Sequence, residues 1–192
     1  MVLLDVTREI KLDHDNVRDL FDRFKASSDL DEKKAIANTL IREMAVHSDA
    51  EEVSVYNHFK EFGLGDTADH NKEEHAEVKK LVYEADSART SRADYDQILT
   101  RAVTAFLTHA EEEETEQFDK ILKALTPEQN DKLARDFIAT RGKVPSRPHP
   151  SAPQTGGLAQ KAAGLQGKVL DKVIETVEGR DFVPVKYSHP EF

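Results

Sequence analysis

Two stretches of this chain, His47-Ser48-Asp49-Ala50-Glu51-Glu52 and His109-Ala110-Glu111-Glu112-Glu113-Glu114, set a histidine four residues before a glutamate. Residues four apart in a helix share one face a turn apart, so His47 with Glu51, and His109 with Glu113, can each aim an imidazole and a carboxylate at one point. Upstream of each stretch lies another histidine in a matching frame. His14 and His75 both open the pattern HxxV(R/K)xL, and they precede His47 and His109 by 33 and 34 residues. A repeat that carries its polar residues in the same register twice restricts the fold to two helical hairpins, each delivering two histidines and one glutamate to a shared centre.

The residue inventory limits what that centre can hold. The absence of cysteine rules out disulfides, thiolate zinc sites and iron–sulfur clusters, so any metal must sit among nitrogen and oxygen donors. A length of 192 residues accommodates one domain with a real core plus an appendage. The net charge of −10 is uneven: residues 1–141 carry 20 Lys/Arg against 32 Asp/Glu, and residues 142–192 carry 7 against 5. An acidic body repels phosphate backbones and attracts cations, which argues against a nucleic-acid partner. No apolar run is long enough to cross a bilayer, and the first residues lack a basic region followed by an apolar core. The expectation is a cytoplasmic protein with no membrane partner.

Helical periodicity fills in the architecture. Val6, Ile10, Val17, Leu20, Phe21 and Phe24 form a stripe that also carries His14, which predicts a first helix over about Val6–Ala26. Ser27-Ser28-Asp29 reads as a turn and cap, and a long second helix through Met44, His47, Glu51, Val55, His58 and Phe62 should stop at Gly63-Leu64-Gly65. A third helix carries His75, Val78, Leu81 and Val82, and a fourth carries Ile98, Ala102, Phe106, His109 and Glu113 on to Leu122, opened by a capping box between Ser91 and Asp94. Thr126-Pro127-Glu128-Gln129 opens a short fifth helix to about Arg141. The expected fold is all-α: an up-down-up-down four-helix bundle with a short fifth helix over residues 1–141, a Pro/Gly-rich linker over 142–157, and a C-terminal helical tail over 158–192. In that tail Leu165, Val169, Leu170, Val173, Ile174 and Val177 form an apolar stripe expected to cover a groove between bundle helices, in the same chain or across a dimer. No role follows for the final residues, Asp181 to Phe192.

Taken singly, each histidine reads as a hydrogen-bonded core residue and each glutamate as part of a solvated face. Six such residues on buried stripes at one level need a common reason, because an unpaired buried carboxylate is costly. Imidazole and carboxylate donors in a bundle core suit iron, manganese or zinc. The order H…HxxxE…H…HxxxE, here His14, His47-Glu51, His75 and His109-Glu113, resembles the hemerythrin-like, or HHE cation-binding, family over roughly residues 6–125. That resemblance implies a non-haem centre of two iron ions, with an oxo or hydroxo bridge. Glu51 and Glu113 would bridge the irons, His14 and His47 would bind one, and His75 and His109 the other.

The chain departs from the oxygen-carrying members of the family in two places. They have a second histidine on the third helix four residues from the first, where this chain has Asn71 and Lys79; and their last carboxylate lies five residues after its histidine, whereas Glu113 lies four after His109. Fewer protein ligands leave room for a small ligand such as O2, peroxide or NO. The resemblance therefore implies a protein that binds and reacts with oxygen species, peroxide reduction or disproportionation first, with an oxygen or nitric oxide binder or an iron store as the alternatives, as a monomer or homodimer. Whether it turns over as an enzyme stays open. His58, seven residues after Glu51 on the same stripe, reads as a residue that backs the ligands or lines the approach to the centre, ahead of a ligand itself. Glu52, Glu74, Glu112 and Glu114 read as solvated, and His70, His149 and His189 as bland residues of loop, linker and tail.

Overall fold

The computed structural model describes residues 2–151 and 158–191; the linker residues 152–157, and the side chains of 158–163, 165 and 166, the expected stripe residue Leu165 among them, lie outside that description. The described residues are helical, without strands. Helix α1, Val6–Ala26, starts at Asp5, whose carboxylate accepts from Thr7 N at 3.0 Å. Helix α2, Leu30–Ser54, starts at Asp29, which accepts from the backbone N–H groups of Asp31 and Glu32. Both caps satisfy N–H groups that a first turn leaves without partners.

The expected straight run from α2 to Phe62 is broken. Helix α2 ends at Ser54, α3 spans Tyr56–Phe59, a 3₁₀ turn follows over Lys60–Phe62, and Gly63 adopts φ 75°, a left-handed conformation that glycine takes at no steric cost. Helix α4 runs Gly65–Ser87 and α5 runs Tyr95–Glu112; Asp94 caps α5 without a side-chain bond, so the expected capping box does not form. The backbone then widens into a π segment, Glu113–Gln117, before α6, Phe118–Ala124. Helix α7, Pro127–Arg141, opens on the expected capping box, with Thr126 and Gln129 each bonding the other's backbone.

Helices α1, α2, α4 and α5 pack in a ring, each against the next and α5 back against α1, while α7 lies across α1 and α2. Lys33 near the start of α2 pairs with Asp96 near the start of α5 at 2.5 Å, so these two diagonal helices point the same way. Two apolar cores fill the bundle. One holds Leu20, Phe24, Leu40, Met44, Val82, Leu99 and Phe106; the other holds Val6, Ile10, Tyr56, Phe59, Ile121 and Phe137. On α1, α2 and α4 the repeated histidine falls between residues of these two cores, and His109 on α5 lies between Phe106 of the first and Ile121 of the second, on α6, so apolar cores pack above and below the polar level.

Helix α8, Leu158–Glu178, docks through polar contacts, and not through the described residues of its apolar stripe. The buried Asp171 carboxylate accepts from Ser146 N and Arg147 N at 3.0 Å each and pairs with His149 at 3.0 Å. A methyl group on Gly167 would meet Pro145 at 3.2 Å and His149 at 3.3 Å, so a glycine that weakens the helix also lets this segment approach. The first part of the expected linker is thus tied down, and Val169, Leu170, Val173 and Val177 stay exposed, so these residues cover no groove of their own chain and of the two expected roles only the one across a dimer is left to them. Gly179, at φ 59°, turns the chain back, and residues 181–191 run extended along α1 and α2 as a strap. Asn38 donates to Asp181 O, Thr39 accepts from Val183 N, and Asn16 both donates to and accepts from the Tyr187 backbone.

The Asp171 carboxylate raises the His149 pKa above its ordinary 6.5; Asp49 adds to this, and burial and Arg147 oppose it. A histidine whose folded pKa is raised contributes stability that is complete below its unfolded value and is lost as pH rises through the folded one. Limited proteolysis of residues 143–151 should therefore accelerate with pH across that window, and His149→Ala should be cut quickly throughout. A wild-type rate that does not respond to pH would contradict this tie.

Candidate metal centre

His14 on α1, His47 and Glu51 on α2, His75 on α4, His109 near the end of α5 and Glu113 at the start of the π segment all lie at 2% exposure or less. The structure brings all six together. His14 Nε2 faces His47 Nε2 at 3.3 Å, and His75 Nε2 faces His109 Nε2 at 3.0 Å. Glu51 Oε2 lies 3.3 Å from His47 Nε2 and 3.4 Å from His75 Nε2, and Glu113 Oε2 lies 3.5 Å from His14 Nε2 and 3.6 Å from His109 Nε2. Each carboxylate thus reaches one histidine from each half of the repeat.

The other nitrogen of each ring fixes what these Nε2 atoms carry. His14 Nδ1 bonds Glu114 at 2.9 Å, His47 Nδ1 bonds Asp13 at 3.1 Å, His75 Nδ1 bonds Glu52 at 3.2 Å, and His109 Nδ1 bonds Glu74 at 2.6 Å. A carboxylate only accepts, so every Nδ1 is the donor and every Nε2 of a neutral ring keeps a lone pair turned to the centre. Two pairs of lone pairs then face each other within 3.3 Å, and Glu51 Oε1 and Glu113 Oε2 are buried without a hydrogen-bond donor. Such an arrangement repels itself unless a proton or a metal cation sits inside it. The same carboxylate–imidazole pairing orients histidines and raises their basicity in metal sites. The residues fit a metal with a preference for nitrogen and oxygen donors.

Electrostatics without a cation carry the same strain. Burial opposes charge on His47, but the Glu51 and Asp13 carboxylates outweigh it and lift its pKa to about 10. Burial also works against ionised Glu113, yet His109 and His14 hold its carboxyl well below the usual range. Against the same burial, His75 and Lys79 draw Glu52 down to about 2. A proton on His47 is thus standing where a metal charge belongs.

Sequence reasoning missed Tyr56. Its hydroxyl lies 2.7 Å from Glu51 Oε2, 2.8 Å from Glu113 Oε1 and 3.4 Å from His75 Nε2. It has one proton for two carboxylates. Burial first, then the Glu113 and Glu51 charges, push the phenol pKa well above its ordinary 10. The break after Ser54 brings Tyr56 into the site: Val55 N bonds Glu51 O, but His58 N bonds Val55 O only three residues back, which tightens and rotates the turn. His58 is carried outward by the same rotation, 36% exposed and 3.6 Å from Glu61, so the structure does not bring it to the centre. Asn71 is inside, donating to Glu113 Oε1 at 2.9 Å and exchanging amide bonds with Gln117.

Three of the glutamates expected to be solvated are the Nδ1 partners just described. Glu52 is fully buried and also takes Lys79 at 2.8 Å, Glu114 also pairs with Arg18 at 2.8 Å, and Glu74 is part-exposed at the His109 side. Glu112 accepts from His70 at 2.9 Å near Glu74, forming a small surface group. The signal was present as adjacency: Asp13-His14 and Glu74-His75 precede the first histidine of each half, and Glu51-Glu52 and Glu113-Glu114 end each half.

The helix ring and its four carboxylate-backed histidines define a bundle built to hold metal cations in its core. Residues 5–121 match the family model of the hemerythrin HHE cation-binding domain, and the chain belongs to that family. It is 28% identical over 170 residues to an uncharacterised hemerythrin-like protein of Schizosaccharomyces pombe, covering 86% of this chain and 83% of that protein. It is 25% identical over 145 residues to a DNA nickase of Nostoc sp., covering 75% of this chain but only 41% of the nickase. No solved structure matches the chain.

The partner of a histidine's second nitrogen is typically worth about 10–100-fold in metal affinity. Glu74→Ala, at a part-exposed position, should weaken metal binding within that range while leaving the helical circular-dichroism spectrum unchanged. Equal affinity in wild type and variant would show that the His109 pairing does not serve a metal.

Proposed function

We propose that this chain is a non-haem di-iron protein that binds small oxygen species and disproportionates or reduces peroxide. The observation that carries the reading is the two pairs of facing imidazole nitrogens together with the Glu51 and Glu113 carboxylates, each of which has one buried oxygen without a hydrogen-bond donor. Iron bound there would supply a redox-active Lewis acid with coordination space for a small ligand. His14 and His47 would hold one ion and His75 and His109 the other, with Glu51 and Glu113 spanning both.

The remaining residues favour an open position over saturation. Where the oxygen-carrying relatives place a further histidine on the third helix, this chain offers Asn71, whose amide is engaged by Glu113 and Gln117, and Lys79, which is tied to Asp49 at 2.7 Å and Glu52 at 2.8 Å. Neither supplies an imidazole. The Tyr56 hydroxyl, between the two spanning carboxylates, is placed to hold a proton at Oη and give it to an oxygen atom bound beside it. Phe106 and Phe118 stand against His14 and limit water at the first pair. Disproportionation is self-contained, since two peroxides yield one dioxygen and two waters, and it needs no second protein.

A carrier or sensor of oxygen or nitric oxide, or an iron store, is the competing reading. DNA cutting, suggested by the name of the Nostoc relative, is disfavoured by a chain charge of −10, which repels a phosphate backbone.

Protein expressed with iron should contain about two irons per chain, as in two-metal sites generally, and should evolve oxygen from peroxide over many turnovers. Tyr56→Phe should keep the iron and lose about 10²–10⁴-fold in peroxide turnover, the usual range for a proton donor. Stoichiometric, reversible spectral change without oxygen evolution would favour the carrier. A chain without iron, or holding a single zinc, would defeat the di-iron reading.

A further inference from the structure

The two halves of the repeat back their histidines in the same way, with two differences of opposite sense: behind the first histidine of each half, Glu52 on His75 is fully buried and tied to Lys79 while Glu114 on His14 is 17% exposed and tied to Arg18, and behind the second histidine the order is reversed. In the first half Asp13, just before His14, holds His47 Nδ1; in the second half Glu74, just before His75, holds His109 Nδ1. Glu74 is 31% exposed, with His70 at 3.6 Å, whereas Asp13 is 1% exposed and is held from three sides. Its Oδ2 accepts from His47 and from the guanidinium of Arg141 on α7, which also grips Glu43 at 2.8 Å. Its Oδ1 pairs with His189 Nε2 at 2.9 Å, while His189 Nδ1 pairs with Glu9 at 2.8 Å.

His189 reaches Asp13 from 176 residues away, at the end of the strap. The strap is anchored along its whole length. Asp181 and Val183 bond Asn38 and Thr39, Arg42 lies over the Phe182 ring at 4.4 Å, Val183 and Val185 pack on the core, and Tyr187 pairs with Asn16. That register delivers the His189 ring between Glu9 and Asp13, one turn apart on α1. The family match ends at residue 121, so both extra grips on Asp13, Arg141 and His189, come from the part of the chain beyond it.

We propose that the C-terminal strap is part of the metal site: His189 is a positioning residue that locks Asp13 against His47 and makes the His14/His47 metal position less exchangeable than the His75/His109 position. The inference rests on the metal-centre reading above. A carboxylate fixed at both oxygens cannot rotate away from His47, so the imidazole stays aimed at the centre. Glu74 has no such clamp and opens toward solvent. The strap thereby clamps the carboxylate behind His47, a clamp that Glu74 behind His109 lacks, while Lys79 holds Glu52 behind His75.

The full-length chain loaded with iron and challenged with an excess of chelator tests this. Wild type should release metal in two phases, and His189→Ala should accelerate the slow phase about tenfold, the lower end of the effect of losing such a partner, while leaving the fast phase unchanged. The near-ultraviolet and visible absorption of the loaded protein should shift in the same variant. His189→Gln, whose amide can still donate to Asp13, should restore both. Asn38→Ala loosens the strap at its far end without touching Asp13 and controls for a general loss of stability, which the melting temperature reads separately. A His189→Ala protein with wild-type release and spectrum, even at a lower melting temperature, would overturn the proposal, as would a single release phase in wild type. A wild type that takes up no metal would overturn the metal-centre reading and this inference together; metal uptake with no effect of His189→Ala would overturn only the inference.

Discussion

The interaction on which the rest depends is the repulsion between imidazole lone pairs turned toward one another in a buried bundle core. His14 faces His47 and His75 faces His109, and each ring is fixed in that orientation by a carboxylate on its far nitrogen. A fold could avoid this repulsion by letting the rings turn or admitting water. Here the carboxylates hold the rings and apolar cores pack above and below, so the repulsion is relieved by positive charge, a proton on His47 or a metal cation. The bundle has been shaped around positive charge supplied from outside the chain.

Much of this was legible in the sequence because the repeat is written in a helical period. The six residues at the centre, the order of the helices, the caps at Asp29 and Thr126, and the short fifth helix follow from spacing and cap chemistry. The supporting carboxylates were visible too, as Asp13-His14, Glu74-His75 and the Glu-Glu doublets, but they resemble an ordinary solvated acidic face. Their role emerges only across helices, since each serves a histidine on a neighbouring helix and not on its own.

Other features had no local signal. The turn that draws Tyr56 inward and sends His58 outward occurs at Val55, with neither proline nor glycine to announce it, and the π segment at Glu113–Gln117 likewise carries no breaking residue. Helix α8 has an apolar stripe that predicts docking, yet its attachment runs through the single buried carboxylate Asp171. The strap is the extreme case. Its contacts join residues far apart in sequence, and an extended, proline-bearing tail has no period to read.

The most direct test of a paired metal centre is X-ray absorption at the iron edge of the loaded protein. Metal held by His14, His47, His75, His109, Glu51 and Glu113 predicts a first shell of nitrogen and oxygen, the outer-shell scattering of imidazole rings, and an iron-to-iron vector short enough for a carboxylate to span. A spectrum with no imidazole scattering, or with imidazole but no metal-to-metal vector, would contradict it.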